Sequence, residues 1–495
     1  MLRRVFLLMV CCLVATCTVP PRDSSGTRTA AAQLPNIVIV FADDLGYGDL
    51  GIFGHPYNRT PNLDRLALEG QRWTDFYVAA PVCSPSRGAL LTGRLPVRTG
   101  LYGEQIGVFF PQEPGGIPDE EITLAEALKP LGYRTGIFGK WHLGDAPHAW
   151  PTRHGFDEWQ GVPHSNDMDW EDGYHLVDMR ALNEQGETEL LAEIRARRNE
   201  FYAEPVEDAW TTPFITSTAD GNFDIEEKTE QSQLTKRATE AAVDFIERNK
   251  EQPFLVYVPY SMPHTPLFRS EDFVGRSLGG RYGDVIEEID WGVGQIRNTL
   301  ESLDLAENTL IMFSSDNGPW LTMNEEGGRA GLLRHGKGTT FEGGVRVPTI
   351  FHWPGKIQPG AISEIGSTLD IFATVMSLVG SDVQSGIDGV DLSSALLERR
   401  EGARLEMPYY RRGQLMAYRV GPWKLHYITE GAYGQAPERT VHEEPVLYNL
   451  LRDPSERFDV SDDNPEIVQQ IEDAVARHRS AVPIREPLFD VRLQQ

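Results

Sequence analysis

The residues best suited to chemistry are a lone cysteine, two acidic pairs and a few well-placed cations and imidazoles. Asp43-Asp44 and Asp316-Asn317 offer only oxygen donors. Such a set suits a hard cation, Ca²⁺ with Mg²⁺ as the alternative, rather than zinc, for which several His or Cys would be expected. An Asp-Asp pair alone reads more readily as a turn or helix cap. The second pair, at an equivalent strand end, turns the reading to metal. Cys83 stands in Cys83-Ser84-Pro85-Ser86-Arg87-Gly88-Ala89-Leu90-Leu91-Thr92-Gly93-Arg94. Pro85 suits a first helical turn and Gly93 an end, so the thiol falls at a helix N-terminus, where free N–H groups favour an anion. A lone cysteine is usually a small buried apolar residue; polar and proline neighbours argue against that here.

These residues follow elements able to bring them together. Apolar runs at 36–42, 133–139, 253–259 and 309–314 alternate with helical patterns at 60–69, 124–131, 234–249 and 282–303. That alternation predicts βα units and a mostly parallel sheet flanked by helices. Ligands of open α/β sheets bind beyond the carboxyl ends of the strands. The four runs lead into Asp43-Asp44, Lys140-Trp141-His142, Pro263-His264 and Asp316-Asn317, so one rim is expected to gather them. Residues 184–231 are acidic and polar without a clean period, which reads as an insertion over the sheet. After about residue 381, short strands near 408–410, 416–420, 424–428 and 446–448 and a helix over 465–481 predict a smaller α+β subdomain with an antiparallel sheet. No repeat or low-complexity tract interrupts the chain.

The chain has 495 residues and a formal charge of −27. Arg3 and Arg4 ahead of an apolar run, with Ala30-Ala31-Ala32 beyond it, read as an export signal over residues 1–32, with a retained anchor as the alternative. Removing it takes away four Arg and one Asp and leaves −30. A field of that sign repels nucleic acid and anionic membrane surfaces, so neither is an expected partner. Cys11, Cys12 and Cys17 lie in the leader, which leaves Cys83 without a disulfide partner. Cys17 loosely fits a lipoprotein cleavage site, spoiled by the Thr before it. The expected location is periplasmic or secreted.

The run Cys-x-Pro-x-Arg followed by x-x-Leu-Leu-Thr-Gly-Arg, over residues 83–94, resembles the signature of the type I sulfatases. Residues 35–54, 83–100, 132–144 and 331–348 resemble the arylsulfatase A and N-acetylgalactosamine-6-sulfatase-like members of that family. So does His442-Glu443-Glu444-Pro445 ahead of Leu447-Tyr448. The resemblance implies an alkaline-phosphatase-like fold and a maturation enzyme that oxidises Cys83 to formylglycine. It implies that Asp43, Asp44, Asp316 and Asn317 hold the cation, usually Ca²⁺, with residue 83 completing the site. One hydroxyl of the aldehyde hydrate would attack sulfur in line with the departing alcohol. Arg87 would hold the hydrate and its loop, while Lys140 and Lys337 bind sulfate oxygens and spread the transition-state charge. His264 is assigned to protonate the leaving alcohol, and His142 to take a proton from the second hydroxyl as sulfate departs. Ser165 matches a position that touches sulfate, and His442 is a further candidate for the substrate side.

The expected division is a signal peptide over residues 1–32, a catalytic part over 33–385 and a C-terminal subdomain over 386–495. The expected activity is hydrolysis of a sulfate monoester on a sulfated small molecule or glycan, a carbohydrate first, with aryl sulfates as surrogates. Trp320, His442 and the polar stretch are candidate pocket walls. Two other readings remain: a phosphate or phosphonate monoester hydrolase on the same fold, and a silent sulfated-glycan-binding protein. Gly336-Lys337-Gly338-Thr339-Thr340 lacks the spacing of a nucleotide P-loop.

Overall fold

Strand β1 (Asn36–Ala42) is apolar at every position after the first because both of its faces are covered. Ile37, Ile39 and Phe41 enter one core cluster, and Val38, Val40 and Ala42 enter another. The computed structural model describes residues 34–383 and 385–494. The expected leader, and Cys17 with it, lies outside the described residues.

With β1 run β2 (Gln71–Trp73), β3 (Phe76–Tyr77), β4 (Arg134–Phe138), β5 (Glu158–Gly161), β6 (Phe214–Thr218), β7 (Phe223–Glu226), β8 (Phe254–Pro259), β9 (Thr309–Ser315), β10 (Thr349–His352), β11 (Gly360–Ile362) and β12 (Gly366–Ser367). Ten of these form one sheet in the order β11-β2-β10-β9-β1-β8-β4-β5-β6-β7, while β3 and β12 pair separately. The central run from β9 to β5 is parallel, and β10, β6 and β7 add antiparallel flanks. The large sheet is therefore mixed and mostly parallel.

Helices α1 (Pro61–Glu69), α2 (Cys83–Thr92), α3 (Leu124–Leu128), α4 (Leu234–Arg248), α5 (Gly280–Ser302) and α6 (Asp370–Leu378) flank it. Leu63, Phe245 and Ile289 of α1, α4 and α5 pack in the cluster that holds Val38. Leu90, Leu128 and Phe372 of α2, α3 and α6 pack in the cluster that holds Ile37. The helix expected over 124–131 is α3 followed by a 3₁₀ turn, Lys129–Leu131, because Pro130 removes an N–H there. The 184–231 stretch departs further from expectation. It contains a helix, Thr188–Ala203, and then supplies β6 and β7, which extend the sheet beyond β5. Exposed Phe223 and Ile225 give this edge too weak a period to read as a strand.

The C-terminal sheet is β13 (Glu406–Arg411), β14 (Gln414–Val420), β15 (Trp423–Thr429) and β16 (Thr440–Asn449), antiparallel in that order. Helix α7 (Pro465–Ala481) places Ile471, Ala474 and Val475 in the same core cluster as Leu425 and Leu447. A buried ionic seam joins this sheet to the rest. Lys424 on β15 reaches Glu342 at 2.9 Å, Glu456 at 3.0 Å and the carbonyl of Thr340 at 2.8 Å. Arg419 on β14 pairs with Asp75 at 2.9 Å. Burial opposes ionisation of Glu342, but Lys424 and Arg346 outweigh it and bring the carboxyl down to about 2.

A carboxyl whose folded-state pKa lies below its unfolded value stabilises the fold above that unfolded value and loses the contribution as pH falls. Acid titration should therefore weaken the seam between about pH 4.5 and 2. Lys424→Met removes the cation shared by two buried carboxylates, leaving Glu342 with Arg346 and Glu456 with His426, and should cost up to about 3–5 kcal/mol, read as a lower urea midpoint at neutral pH. An unchanged midpoint would show that the seam does not hold the two sheets together.

Candidate active site

The in-register pairing of β1 with β9, from Asn36↔Thr309 to Ala42↔Ser315, delivers Asp43-Asp44 and Asp316-Asn317 side by side at one end of the sheet. Asp316 N–H donates to the Ala42 carbonyl at 3.1 Å, and Asp44 N–H donates to Asp316 Oδ1 at 3.1 Å. Asp44 sits at φ 64°, a left-handed conformation that an Asp tolerates better than most residues. Next along the rim, Gly139 (φ 133°) follows β4; a Cβ there would lie 2.1 Å from the Pro259 carbonyl oxygen. The chain beyond it is bonded to both neighbours. Lys140 N–H donates to Pro259, Trp141 N–H to Val162 and His142 N–H to Pro163. Those bonds bring Lys140, His142 and Ser165 to the same rim.

Helix α2 starts at Cys83 and ends at Gly93 (φ 66°), whose N–H donates to the Ala89 carbonyl, as the sequence predicts. All ten of its residues are buried. Cys83 Sγ donates to Asp43 Oδ1 at 3.4 Å. One turn later Arg87 donates to Asp316 Oδ2 from Nε at 3.0 Å and from Nη2 at 2.7 Å. Its Nη2 also lies 3.6 Å from Asp43. Lys140 Nζ reaches Asp43 Oδ2 at 2.5 Å and Ser165 Oγ at 2.6 Å. Lys337 Nζ reaches Asp44 Oδ2 at 2.8 Å and lies 4.5 Å from the ring centroid of Trp320. Its loop is anchored by Lys337 N–H on the Pro319 carbonyl and Gly338 N–H on the Pro81 carbonyl, two residues before Cys83.

Three carboxylates and three cations are thus interleaved in a buried cluster. Burial opposes charge on Asp43, but Lys140 and Arg87 outweigh it and hold that carboxyl well below its usual value. Asp316 competes for the same cations; burial and the Asp43 charge push it up to about 7. Burial, with Asp316 and Asp43, pushes the Cys83 thiol well above its usual value. Burial also lowers both histidines, helped by Lys140 at His142 and by Lys337 at His264. His142 Nε2 lies 2.9 Å from the Phe109 carbonyl and so carries the proton, leaving Nδ1, buried and without a partner among the described residues, as the basic nitrogen. His264 Nδ1 lies 2.6 Å from the Thr265 carbonyl, which leaves Nε2 facing Asp44 Oδ2 at 3.6 Å.

Of the residues expected at the site, Asp43, Asp44, Cys83, Arg87, Lys140, His142, Ser165, His264, Asp316, Asn317 and Lys337 are all buried on this rim. One ligand atom each from Asp43, Asp44, Cys83 and His264 lie within 4.8 Å of one another. His442 makes none of the contacts that tie the cluster; its Nε2 pairs with Thr429 Oγ1 at 2.8 Å on the C-terminal sheet. Trp320 does stand at the site, 5.3 Å from the His264 ring. Two partners of Trp320 went unread in the sequence: Tyr433 at 5.2 Å and Tyr202 at 6.3 Å. The only local hint at Tyr433 is its place in Gly431-Ala432-Tyr433-Gly434, a turn-like run.

Residues 35–381 match the family model for sulfatases, and residues 402–492 match that for the C-terminal region of aryl-sulfatase. The chain belongs to the sulfatase family. It is 39% identical to N-acetylgalactosamine-6-sulfatase of Sus scrofa, over 94% of this chain and 89% of that one. It is 40% identical to arylsulfatase A of Bos taurus, over 90% of this chain and 87% of that one. Its fold superposes on the crystal structure of PsFucS1 sulfatase from Pseudoalteromonas sp. with a TM-score of 0.79 at 26% identity, covering 92% of each chain. This sulfatase is a sulfuric ester hydrolase, and three buried cations stand at the rim of its large sheet.

Arg87 is the cation on which Asp316 most depends. Arg87→Met should lower stability by about 3–5 kcal/mol by taking the ion pair from buried Asp316. Adding Asp316→Asn should recover much of that loss, a coupling that a double-mutant cycle in urea would measure. Strict additivity would show that the two side chains act independently.

Proposed function

We propose that residue 83 works as a formylglycine, made from Cys83 by an external maturation enzyme, and that the ester it hydrolyses is carried by a sulfated carbohydrate. The observation behind this is the position of the thiol. Cys83 Sγ lies at the start of α2, against Asp43, inside the interleaved set of carboxylates and cations. There it stands in for a hydroxyl oxygen of the aldehyde hydrate, the nucleophile that the family resemblance implies.

The donors fit a hard divalent cation, Ca²⁺ in this reading: all are oxygens, and Asn317 Oδ1 is buried without a partner among the described residues. Asp43, Asp44, Asp316 and Asn317 would hold the ion, which when bound supplies positive charge and Lewis acidity beside residue 83. Asp43, Asp44 and Asp316 formally cancel Arg87, Lys140 and Lys337. Side chains alone therefore leave little surplus charge for a sulfate in a protein of net charge −27.

Arg87 orients residue 83 through the shared carboxylates. Lys140 and Lys337 are positioned to bind sulfate oxygens, with Ser165 holding Lys140 and Trp320 supporting Lys337. His142, neutral with a bare Nδ1, suits the base that accepts a proton as sulfate leaves. His264 protonates the departing alcohol from Nε2. Lys337 and burial oppose that protonated state in the free enzyme, and an anionic ester beside the ring favours it.

The relative named N-acetylgalactosamine-6-sulfatase supports a sugar sulfate, and the one named arylsulfatase A supports aryl sulfates as surrogate substrates. We retain a catalytic part over residues 33–385, a C-terminal part over 386–495 and export through a leader. Among the described residues no helix is long and apolar enough to cross a membrane.

Two measurements test this reading. Mass spectrometry of the peptide spanning Cys83, on protein matured in vivo, should show a loss of about 18 Da relative to cysteine together with capture by an aldehyde reagent. Cys83→Ala should lower kcat on an aryl sulfate by at least roughly 10³-fold. An intact thiol with phosphatase turnover would instead favour a phosphate or phosphonate ester hydrolase. For the ion, dialysis against chelator should lower the unfolding midpoint. Ca²⁺ at 100 times its Kd should return about 2.7 kcal/mol, a response that Asp44→Asn abolishes. A midpoint indifferent to Ca²⁺ would remove the ion from the site.

A further inference from the structure

We infer that Asp167 selects the sugar at this site: its carboxylate accepts a hydrogen bond from a free hydroxyl beside the sulfate ester and excludes substrates with a second anionic group there. The inference rests on the sulfated-carbohydrate reading and specifies which sugars satisfy it. The chain around Asp167 is tied to the catalytic cluster on two sides. Two residues before it, Ser165 Oγ accepts from Lys140 Nζ at 2.6 Å. Directly before it, Asn166 Nδ2 donates at 3.1 Å to the carbonyl of Pro266, two residues beyond His264. A third tie is made by Asp167 itself, whose Oδ2 accepts from Tyr202 Oη at 2.8 Å. The Tyr202 ring packs against Trp320, and that indole lies 5.3 Å from the His264 ring and 4.5 Å from Lys337 Nζ. Asp167 therefore belongs to the groups around His264, the residue that protonates the departing alcohol. Its charge is felt there: burial and Lys337 lower the His264 imidazole, while Asp44 and Asp167 oppose them. The cluster itself is buried, whereas Asp167, Tyr202 and Trp320 are partly exposed. They form the outer edge of the site on the alcohol side, where the sugar bearing the ester is held.

The chemistry of this edge selects the occupant. Within the cluster each carboxylate has a cation: Asp316 has Arg87, Asp43 has Lys140 and Asp44 has Lys337. Asp167 lies outside that balance; among the described residues its side chain accepts from Tyr202 and pairs with no cation. Its Oδ1 is buried without a partner among the described residues, and so is Nε1 of Trp320. One is an acceptor and the other a donor. A sugar complements both, with hydroxyl hydrogens for the carboxylate and hydroxyl oxygens for the indole N–H. In the inferred complex a turn of each partly exposed side chain presents these atoms to the ring. A sugar lacking the hydroxyl leaves the carboxylate unmet, which a site built for hydrogen bonding penalises. A second sulfate, or a carboxylate, at that position sets a like charge against Asp167 with no cation to offset it.

Steady-state kinetics on the full chain, matured in vivo and supplied with Ca²⁺, tests this. The substrates are monosulfates of galactose, glucose and N-acetylgalactosamine, with p-nitrophenyl sulfate as an ester that has no hydroxyl to offer. For the sugar turned over best, the counterpart with a second sulfate on the hydroxyl nearest the ester should have a kcat/KM at least about tenfold lower in the wild type. Asp167→Asn keeps an acceptor oxygen and removes the charge, so it should narrow that gap several-fold; a carboxylate with a purely structural role would move both sugars alike. Asp167→Ala removes acceptor and charge. It should lower the ratio of kcat/KM for the monosulfated sugar to that for p-nitrophenyl sulfate by at least about tenfold. Should Asp167→Ala fail to fold, judged by its melting temperature, the gap in Asp167→Asn decides alone. Equal wild-type kcat/KM for the two sugars, or a gap that Asp167→Asn leaves unchanged, would overturn the inference. Sulfate released from p-nitrophenyl sulfate and from none of the sugars would bring down the carbohydrate reading instead, and no sulfate from either would bring down the formylglycine assignment of Cys83.

Discussion

The site depends on keeping three carboxylates ionisable where water is nearly absent. Asp43, Asp44 and Asp316 are each no more than 2% exposed, and isolated charges at such depth would be severely unfavourable. Arg87, Lys140 and Lys337 make them tenable, one main contact each, at 2.5–2.8 Å. None of the six can be understood without the others. The requirement reaches outward: α2 must bury fully to bring Arg87 in, β4 must be followed by Gly139 to bring Lys140 in, and the Lys337 loop must cross to Pro81. Local charge and global charge thus have different tasks. The chain as a whole carries a charge of −27, while at the rim of the sheet buried charges of both signs alternate.

The C-terminal sheet takes part in this arrangement. Lys424 holds the Thr340 carbonyl, three residues beyond Lys337, and bridges Glu342 and Glu456. Glu456 Oε2 in turn accepts from the N–H of Glu342, and its Oε1 accepts from His426 at 2.7 Å. Tyr433, from the loop between β15 and β16, completes the aromatic wall around Trp320. The loop carrying one of the three cations is therefore clamped from the side of the second sheet. A catalytic loop positioned by a rigid scaffold loses little entropy when its ligand arrives.

The two histidines illustrate how burial sorts proton chemistry. Both are pulled towards the neutral form, yet each uses a backbone carbonyl to fix which nitrogen is bare. At His142 the bare atom is Nδ1, and at His264 it is Nε2. Carbonyl partners at 2.9 and 2.6 Å decide this: Phe109, distant in sequence from His142, and Thr265, the residue after His264.

The amino-acid sequence determined most of the rim by itself. The apolar runs that became β1, β4, β8 and β9 are short, bounded and followed at once by polar residues, and parallel strands in a buried sheet must end together. Local pattern therefore sufficed to place Asp43, Asp44, Lys140, His264, Asp316 and Asn317 at one end. The helix from Cys83 to Thr92 was legible from Pro85 and Gly93 alone. Only tertiary structure decided the rest. It turned the 184–231 stretch into a helix and the last two strands at one end of the sheet, paired His442 with Thr429, and packed Tyr202 and Tyr433 against Trp320. These are contacts between side chains from separate elements, more than a hundred positions apart for both Trp320 pairs. Periodicity reports which face of an element is apolar; it carries no information on which distant aromatic will fill the space opposite.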